Sequence, residues 1–218
     1  MKNSNKKLIL FDIDNTIFDS ASFRKDVFKK VSKALHSMGT KKTVQEVEKM
    51  VDDLIEKYGF FDPEIFAQLL KHLSPKDKQK IKAIYLDTDG MKNFLYKETV
   101  ELIAKFTEIG EVGVLSQGRA KFQLAKIASI YNHFHKDRIH IAENKKTEMV
   151  TILNKYSKYR VYYVDDMLTM LEKAKEVRND ITPLWIKQGM FIKKQKSAFK
   201  PDKEVKNLTE AYIFIKNS

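Results

Sequence analysis

The chain has 218 residues, 43% of them hydrophobic, with no cysteine and a formal net charge of +12. That length allows one core of ordinary size with room for an inserted subdomain, and the absence of cysteine excludes disulfides and thiolate catalysis. No run reaches the roughly 20 apolar residues of a membrane span or the roughly 7–15 of a signal-peptide core, so the cytoplasm is the expected compartment.

The elements follow in chain order. Leu8, Ile9, Leu10 and Phe11 form a short apolar run that fits a buried parallel strand. It ends in Asp12 and Asp14, followed by Asn15, Thr16 and a helix-like segment. Residues two apart on a strand share a face, so both carboxylates emerge together where the strand gives way to loop. Desolvating two unpaired acids is costly. A cation offsets that cost, and oxygen-rich clusters suit Mg²⁺.

Helical periodicity then runs through Phe23, Val27, Val31 and Leu35 and stops near Gly39. Thr43 opens a second helix that ends at Gly59, and Asp62-Pro63 and Ser74-Pro75 each carry the start signal of a further helix. Residues 19–93 therefore form a small helical insertion without a strand of its own. Asp87-Thr88-Asp89-Gly90, which closes this stretch, fails the calcium-loop pattern and fits a connection back to the core.

Strand and helix alternate afterwards. A helix over Glu98–Ile109 precedes a strand over Val112–Leu115, and a helix over Arg119–Ile130 precedes a short strand over Ile139–Ile141. Next come a helix over Thr147–Tyr156, a strand over Val161–Val164, a helix over Leu168–Val177 and a strand over Thr182–Ile186. A helix over Leu208–Ile215 closes the chain. Such alternation predicts an α/β fold with a doubly wound parallel sheet, a Rossmann-like core of residues 1–18 and 94–218, with the helical insertion placed after the first strand. Ligands of such sheets bind beyond the carboxyl ends of the strands.

Each later strand delivers a polar group at that end. Val112–Leu115 leads to Ser116, Gln117 and Gly118, a hydroxyl followed shortly by a residue that lets backbone approach an anion. Lys145 and Lys146 stand near the start of the next helix, and the spacing to Met149, Val150 and Leu153 favours Lys146. Val161–Val164 ends in Asp165-Asp166, repeating the first pattern of a buried strand closed by two acids. Without a cation, burial pushes such carboxylates up.

These four segments, in this order, resemble the motifs of the haloacid dehalogenase-like hydrolases, whose phosphatase members carry Asp-x-Asp-x-Thr after the first strand. The resemblance implies Asp12 as nucleophile and Asp14 as general acid/base. It also implies Ser116 and Lys146 on the phosphoryl oxygens, and Asn15, Gln117 and Gly118 as substrate contacts. Many members have Asn-Gly where this chain has Gln117-Gly118. Mg²⁺ is the implied cofactor, held by Asp12, by the backbone carbonyl of Asp14 and by Asp166, with Asp165 in direct contact or just behind. Met170 stands where one variant of the last motif has a further acid, which leaves the division between Asp165 and Asp166 open.

The family's dehalogenases lack an acid at the position of Asp14, so its presence favours a phosphatase. The implied substrate is a small phosphorylated metabolite, with the helical insertion closing over it as a cap. A phosphomutase shares the pattern. A phosphatase of nucleic-acid ends, or a non-catalytic nucleic-acid binder, would use the basic charge instead. That charge is nearly all lysine, with only Arg24, Arg119, Arg138, Arg160 and Arg178, whereas base readers favour arginine. Solvated surface is the simpler account, and Lys193, Lys194, Lys196 and Lys200 form its densest patch.

Overall fold

A continuous apolar run can be buried on both faces only in the middle of a sheet, and Leu8–Phe11 sits there. In the computed structural model, which describes residues 6–189, 192, 195 and 197–218, β1 (Lys7–Phe11) lies between β2 (Glu111–Gln117) and β4 (Arg160–Asp165). The sheet has six parallel strands in the order β3-β2-β1-β4-β5-β6, with β3 at Ile139–Ala142, β5 at Thr182–Ile186 and β6 at Lys203–Val205. Leu8 to Phe11 are wholly buried and divide by parity. Ile9 and Phe11 join one apolar layer, and Leu8 and Leu10 join the other. Helices α6 (Thr99–Ile109) and α10 (Leu208–Lys216) cover the first face, and α8 (Lys145–Asn154) and α9 (Leu168–Val177) the second.

Five helices and no strand occupy residues 20–91. These are α1 (Ser20–Ser37), α2 (Val44–Tyr58), α3 (Pro63–Leu69), α4 (Pro75–Tyr85) and α5 (Thr88–Met91). Their ends follow local chemistry. Thr43 and Glu46 form a reciprocal capping box at the start of α2, and Gly59 closes that helix in the left-handed conformation at φ 79°. Asp62 and Ser74 cap α3 and α4 ahead of prolines at the first helical position. Asp87 caps α5, accepting from the Gly90 N–H at 3.0 Å. The chain enters and leaves this layer side by side, with the Asp19 N–H donating to the Phe94 carbonyl at 2.7 Å.

Two elements differ from the expectation. The helix predicted over Arg119–Ile130 ends early, as α7 (Ala120–Lys126), and continues as a 3₁₀ turn over Ala128–His133. Ile127 and Ile130 are both buried, and their N–H groups bond three residues back. The tighter period of three puts both on one side. β6 is unpredicted because Lys-Glu-Val is too short and too polar to show a period, as suits an edge strand. Of the lysine patch, Lys193, Lys194 and Lys196 lie outside the described residues. Among the described residues no helix is long and apolar enough to cross a membrane.

Candidate active site

The order of the strands brings two separate acid pairs together. β1 and β4 are neighbours at the point where the winding of the sheet reverses direction. The Asp12 N–H donates to the Val164 carbonyl at 2.9 Å, just where both strands end. Asp12, Asp165 and Asp166 are all buried, and each offers a carboxylate oxygen within 4.8 Å of the others.

A single ammonium bridges part of this charge. Lys145 Nζ donates to Asp12 Oδ1 at 2.7 Å and to Asp165 Oδ2 at 2.7 Å. Burial opposes its charge, but Asp12 and Asp165 outweigh that and hold it well above the usual lysine range. The Tyr163 hydroxyl also donates to Asp165 Oδ2, and the Met167 N–H donates to its Oδ1 at 2.7 Å. Both oxygens of Asp165 are therefore committed. Among the described residues the Asp166 carboxylate accepts only from the Asn15 amide, at 3.3 Å. Burial, then the charges of Asp165 and Asp12, push Asp166 up to about 9. Burial pushes Asp12 up to about 7, with Lys145 pulling against it.

Among the described residues one lysine faces three buried acids, and the raised values of Asp12 and Asp166 express that shortage of positive charge. All their donors are oxygen, the hard set that Mg²⁺ or Ca²⁺ takes. The residues fit a divalent cation, with Asp166, the least committed of the three carboxylates, and Asp12 beside it as the candidate ligands.

Lys146, expected in contact with the phosphoryl group, is exposed on α8. Its neighbour Lys145 is the lysine beside the acids. Successive helical residues point about 100° apart, so only one of two adjacent lysines can face the acids. Lys145, Met149 and Leu153 lie four apart and are all buried, whereas Val150, four residues after Lys146, is exposed. The same spacing, counted from Lys145, marks the lysine that faces the acids.

Asp14 sits apart from the cluster in its own cradle. Lys126 Nζ donates to both of its oxygens at 2.7 and 2.8 Å, Gln123 Nε2 to Oδ2 at 2.9 Å, and the Ser20 hydroxyl to Oδ1. Burial works against the carboxylate, yet Lys126 and these hydrogen bonds hold it below the usual range. Lys126 is buried although charged, with its ammonium 4.5 Å from the centre of the Phe122 ring. Neither Lys126 nor Gln123 was expected. Their three-residue spacing on α7 gives them a shared face, a weak signal whose meaning depends on a partner more than a hundred residues away.

The remaining expected contacts divide. Ser116 is buried at the end of β2 with its hydroxyl lacking any partner among the described residues, and Asn15 turns the loop after β1 in a left-handed conformation, φ 55°, that asparagine tolerates. Gln117 lines the cavity beside the site, but its Nε2 is engaged by the Gly59 carbonyl at 2.9 Å, tying β2 to the helical layer. The Gly118 N–H is likewise taken, by the Ala142 carbonyl at 2.9 Å, and is not free for an anion. A glycine is needed there for a different reason. At φ 139° a Cβ would lie 2.8 Å from Gln123 Nε2, the amide that holds Asp14. Arg119 crosses to the helical layer as well, donating to Asp62 Oδ2 at 2.8 Å.

Known proteins resemble this chain in sequence and in fold. Residues 6–176 match the family described as haloacid dehalogenase-like hydrolase. Over 138 residues the chain is 24% identical to a glyceraldehyde 3-phosphate phosphatase from Methanopyrus kandleri, a match covering 59% of each chain. The matched part is thus about three fifths of that relative's length. Among solved structures, a protein from Burkholderia xenovorans described as a haloacid dehalogenase-like hydrolase superposes with a TM-score of 0.77 at 18% identity, covering 95% of this chain and 98% of that one. An L-2-haloacid dehalogenase from Xanthobacter autotrophicus, with chloropropionic acid covalently bound, reaches 0.63 at 13% identity over 96% and 98%.

Proposed function

This chain belongs to the haloacid dehalogenase-like hydrolase family, and on that premise we propose that it is a phosphatase acting on a small phosphomonoester through an aspartyl-phosphate on Asp12. The observation that carries the reading is Asp14, a second carboxylate two residues from the nucleophile and held by Lys126, Gln123 and Ser20. A dehalogenase has no leaving alkoxide to protonate and no use for such a group. The phosphatase from Methanopyrus kandleri among its relatives supports the same choice.

Phosphate monoesters resist hydrolysis so strongly that enzymes supply accelerations of up to ~10²¹. Asp12 uses the oxygen that Lys145 leaves free to attack phosphorus, and the ester P–O bond breaks. That splits one difficult displacement into two easier ones. Asp14 exchanges protons with the reacting oxygens, a role typically contributing about 10²–10⁴. Its ionised state suits the second half, in which it takes a proton from the water that attacks the aspartyl-phosphate and frees inorganic phosphate. In the first half Asp14 passes a proton to the leaving oxygen, and Lys126 is the adjacent ammonium that can supply it. Lys145 and the Ser116 hydroxyl stabilise charge on the phosphoryl oxygens. Mg²⁺, when bound by Asp12 and Asp166, supplies the positive charge that offsets repulsion between carboxylate and phosphate. Residues 19–93 serve as the cap, excluding water and bulky polymers, with Gln117–Gly59 and Arg119–Asp62 as its contacts to the core.

The test is release of phosphate from a panel of phosphomonoesters with Mg²⁺ or with a chelator. Activity is expected only with the metal. Asp166→Asn should raise the half-saturating Mg²⁺ concentration by about 10–100-fold and Asp165→Asn by less. Turnover insensitive to chelation would refute the proposal, and the reverse ranking would refute the ligand assignment.

A further inference from the structure

A cavity of about 220 Å³ opens from Asp14 into the helical layer. Its near end is polar, with Asp14, Asn15, Gln123 and Lys126. Beyond them the walls are apolar, formed by Phe23, Val27, Phe28, Val51, Phe61 and Phe122. The rings meet in tilted and edge-on pairs, with Phe61 5.4 Å from Phe122 and 4.8 Å from Tyr85 between centroids.

Two residues of this lining, Arg24 and Tyr85, each hold a buried donor without a partner among the described residues. The hydroxyl of Tyr85, a residue 1% exposed, makes no hydrogen bond among the described residues, and neither does the buried Nε–H of Arg24. Such groups are rare in a folded interior, and each calls for an explanation. Arg24 is otherwise well held. Its other end donates to Asp52 at 2.5 Å, and its guanidinium lies 5.1 Å from the centre of the Phe28 ring. The Asp52 carboxylate already balances its charge, so the open Nε–H calls for an acceptor oxygen rather than for a second anion. Burial pushes the Tyr85 hydroxyl far up, against the pull of Arg24, so it remains a donor.

Resting on the phosphatase reading above, we infer that this cavity selects phosphate esters of an aromatic alcohol that carries a neutral acceptor oxygen, such as a carbonyl, at the end away from the phosphate. The ring fills the phenylalanine walls, and the oxygen takes the hydrogen bonds of Arg24 Nε–H and Tyr85 O–H. A short polyol phosphate fits poorly. Its hydroxyls would be desolvated against carbon with no partner between the Asp14 end and the Arg24–Tyr85 pair, and a site with unmatched polar groups discriminates strongly.

The experiment compares kcat/KM for 4-acetylbenzyl phosphate, benzyl phosphate and glycerol phosphate with Mg²⁺ present. The wild type should prefer 4-acetylbenzyl phosphate over glycerol phosphate by about 100-fold or more. In Tyr85→Phe the preference for 4-acetylbenzyl over benzyl phosphate should fall about tenfold. Arg24→Lys, which retains a cation for Asp52 but has no guanidinium N–H, should lower the same ratio. A preference for glycerol phosphate, or a ratio unmoved by both substitutions, would overturn the inference while leaving phosphatase activity in place. If no ester releases phosphate, the phosphatase reading fails on its own. The cavity is then tested by calorimetric titration of 4-acetylbenzyl alcohol, which needs no turnover. Binding that weakens in Tyr85→Phe supports the assignment, and no binding to the wild type refutes it.

Discussion

Asp12→Asn is expected to lower phosphate release by a factor on the order of 10⁴ or more, the scale at which loss of a covalent nucleophile is felt. The amide oxygen can still accept from Lys145, but it cannot attack phosphorus to give a stable acyl-phosphate. The substitution removes one negative charge from three buried acids, so the fold should persist. Circular dichroism and a thermal midpoint at pH 8 in chelator should show a variant no less stable than the wild type. Mass spectrometry after rapid acid quench should find a phosphorylated peptide containing Asp12 in the wild type and none in the variant. Turnover within tenfold of wild type, with metal binding intact, would sink the mechanism.

Lys145→Met should cost activity and stability together, and Lys146→Met neither. Among the described residues Lys145 is the one cation shared by Asp12 and Asp165. Its loss leaves both carboxylates buried without that countercharge, a change that typically destabilises by about 3–5 kcal/mol. Charge on the phosphoryl group also loses a fixed donor, which costs about 10²–10³ in rate at comparable sites. Lys146 is solvated, and removing it should stay within about 0.5 kcal/mol. Urea denaturation and phosphate release on the two variants decide the matter, and equal effects would return the role to Lys146.

That pair of neighbours shows where legibility in the sequence ended. Long-range placement of the acids was readable because each pair terminates an unbroken apolar run, Leu8–Phe11 or Val161–Val164, and such runs have few places to go but the middle of a sheet. The helices over 20–85 were readable from Thr43, Gly59, Asp62 and Ser74, whose side chains or backbone act within a few residues. Lys145 needed only the i, i+4, i+8 line through Met149 and Leu153 to be weighed against Val150. Lys126, by contrast, reads locally as one more lysine on a helix. What makes it special is Asp14, brought to it by tertiary packing and by the break of α7 into a tighter turn. The same holds for Arg24 and Tyr85, ordinary positions on two helices until packing sets both in the wall of one cavity.

The crowding of acids at the strand ends also couples the fold to its ionic surroundings. In an unfolded chain aspartates give up their protons near 4, whereas in the folded chain burial holds Asp12 to about 7 and Asp166 to about 9. Between those limits the folded state binds more protons, so stability contributed by these two groups is full below about 4 and declines as pH rises toward 7 and then 9. A dication that binds only the folded chain opposes the decline, adding about 2.7 kcal/mol at a hundredfold excess over Kd. Its grip is strongest where the carboxylates are ionised. In alkaline solution a bound metal would be the clamp, and in mildly acid solution the proton takes its place.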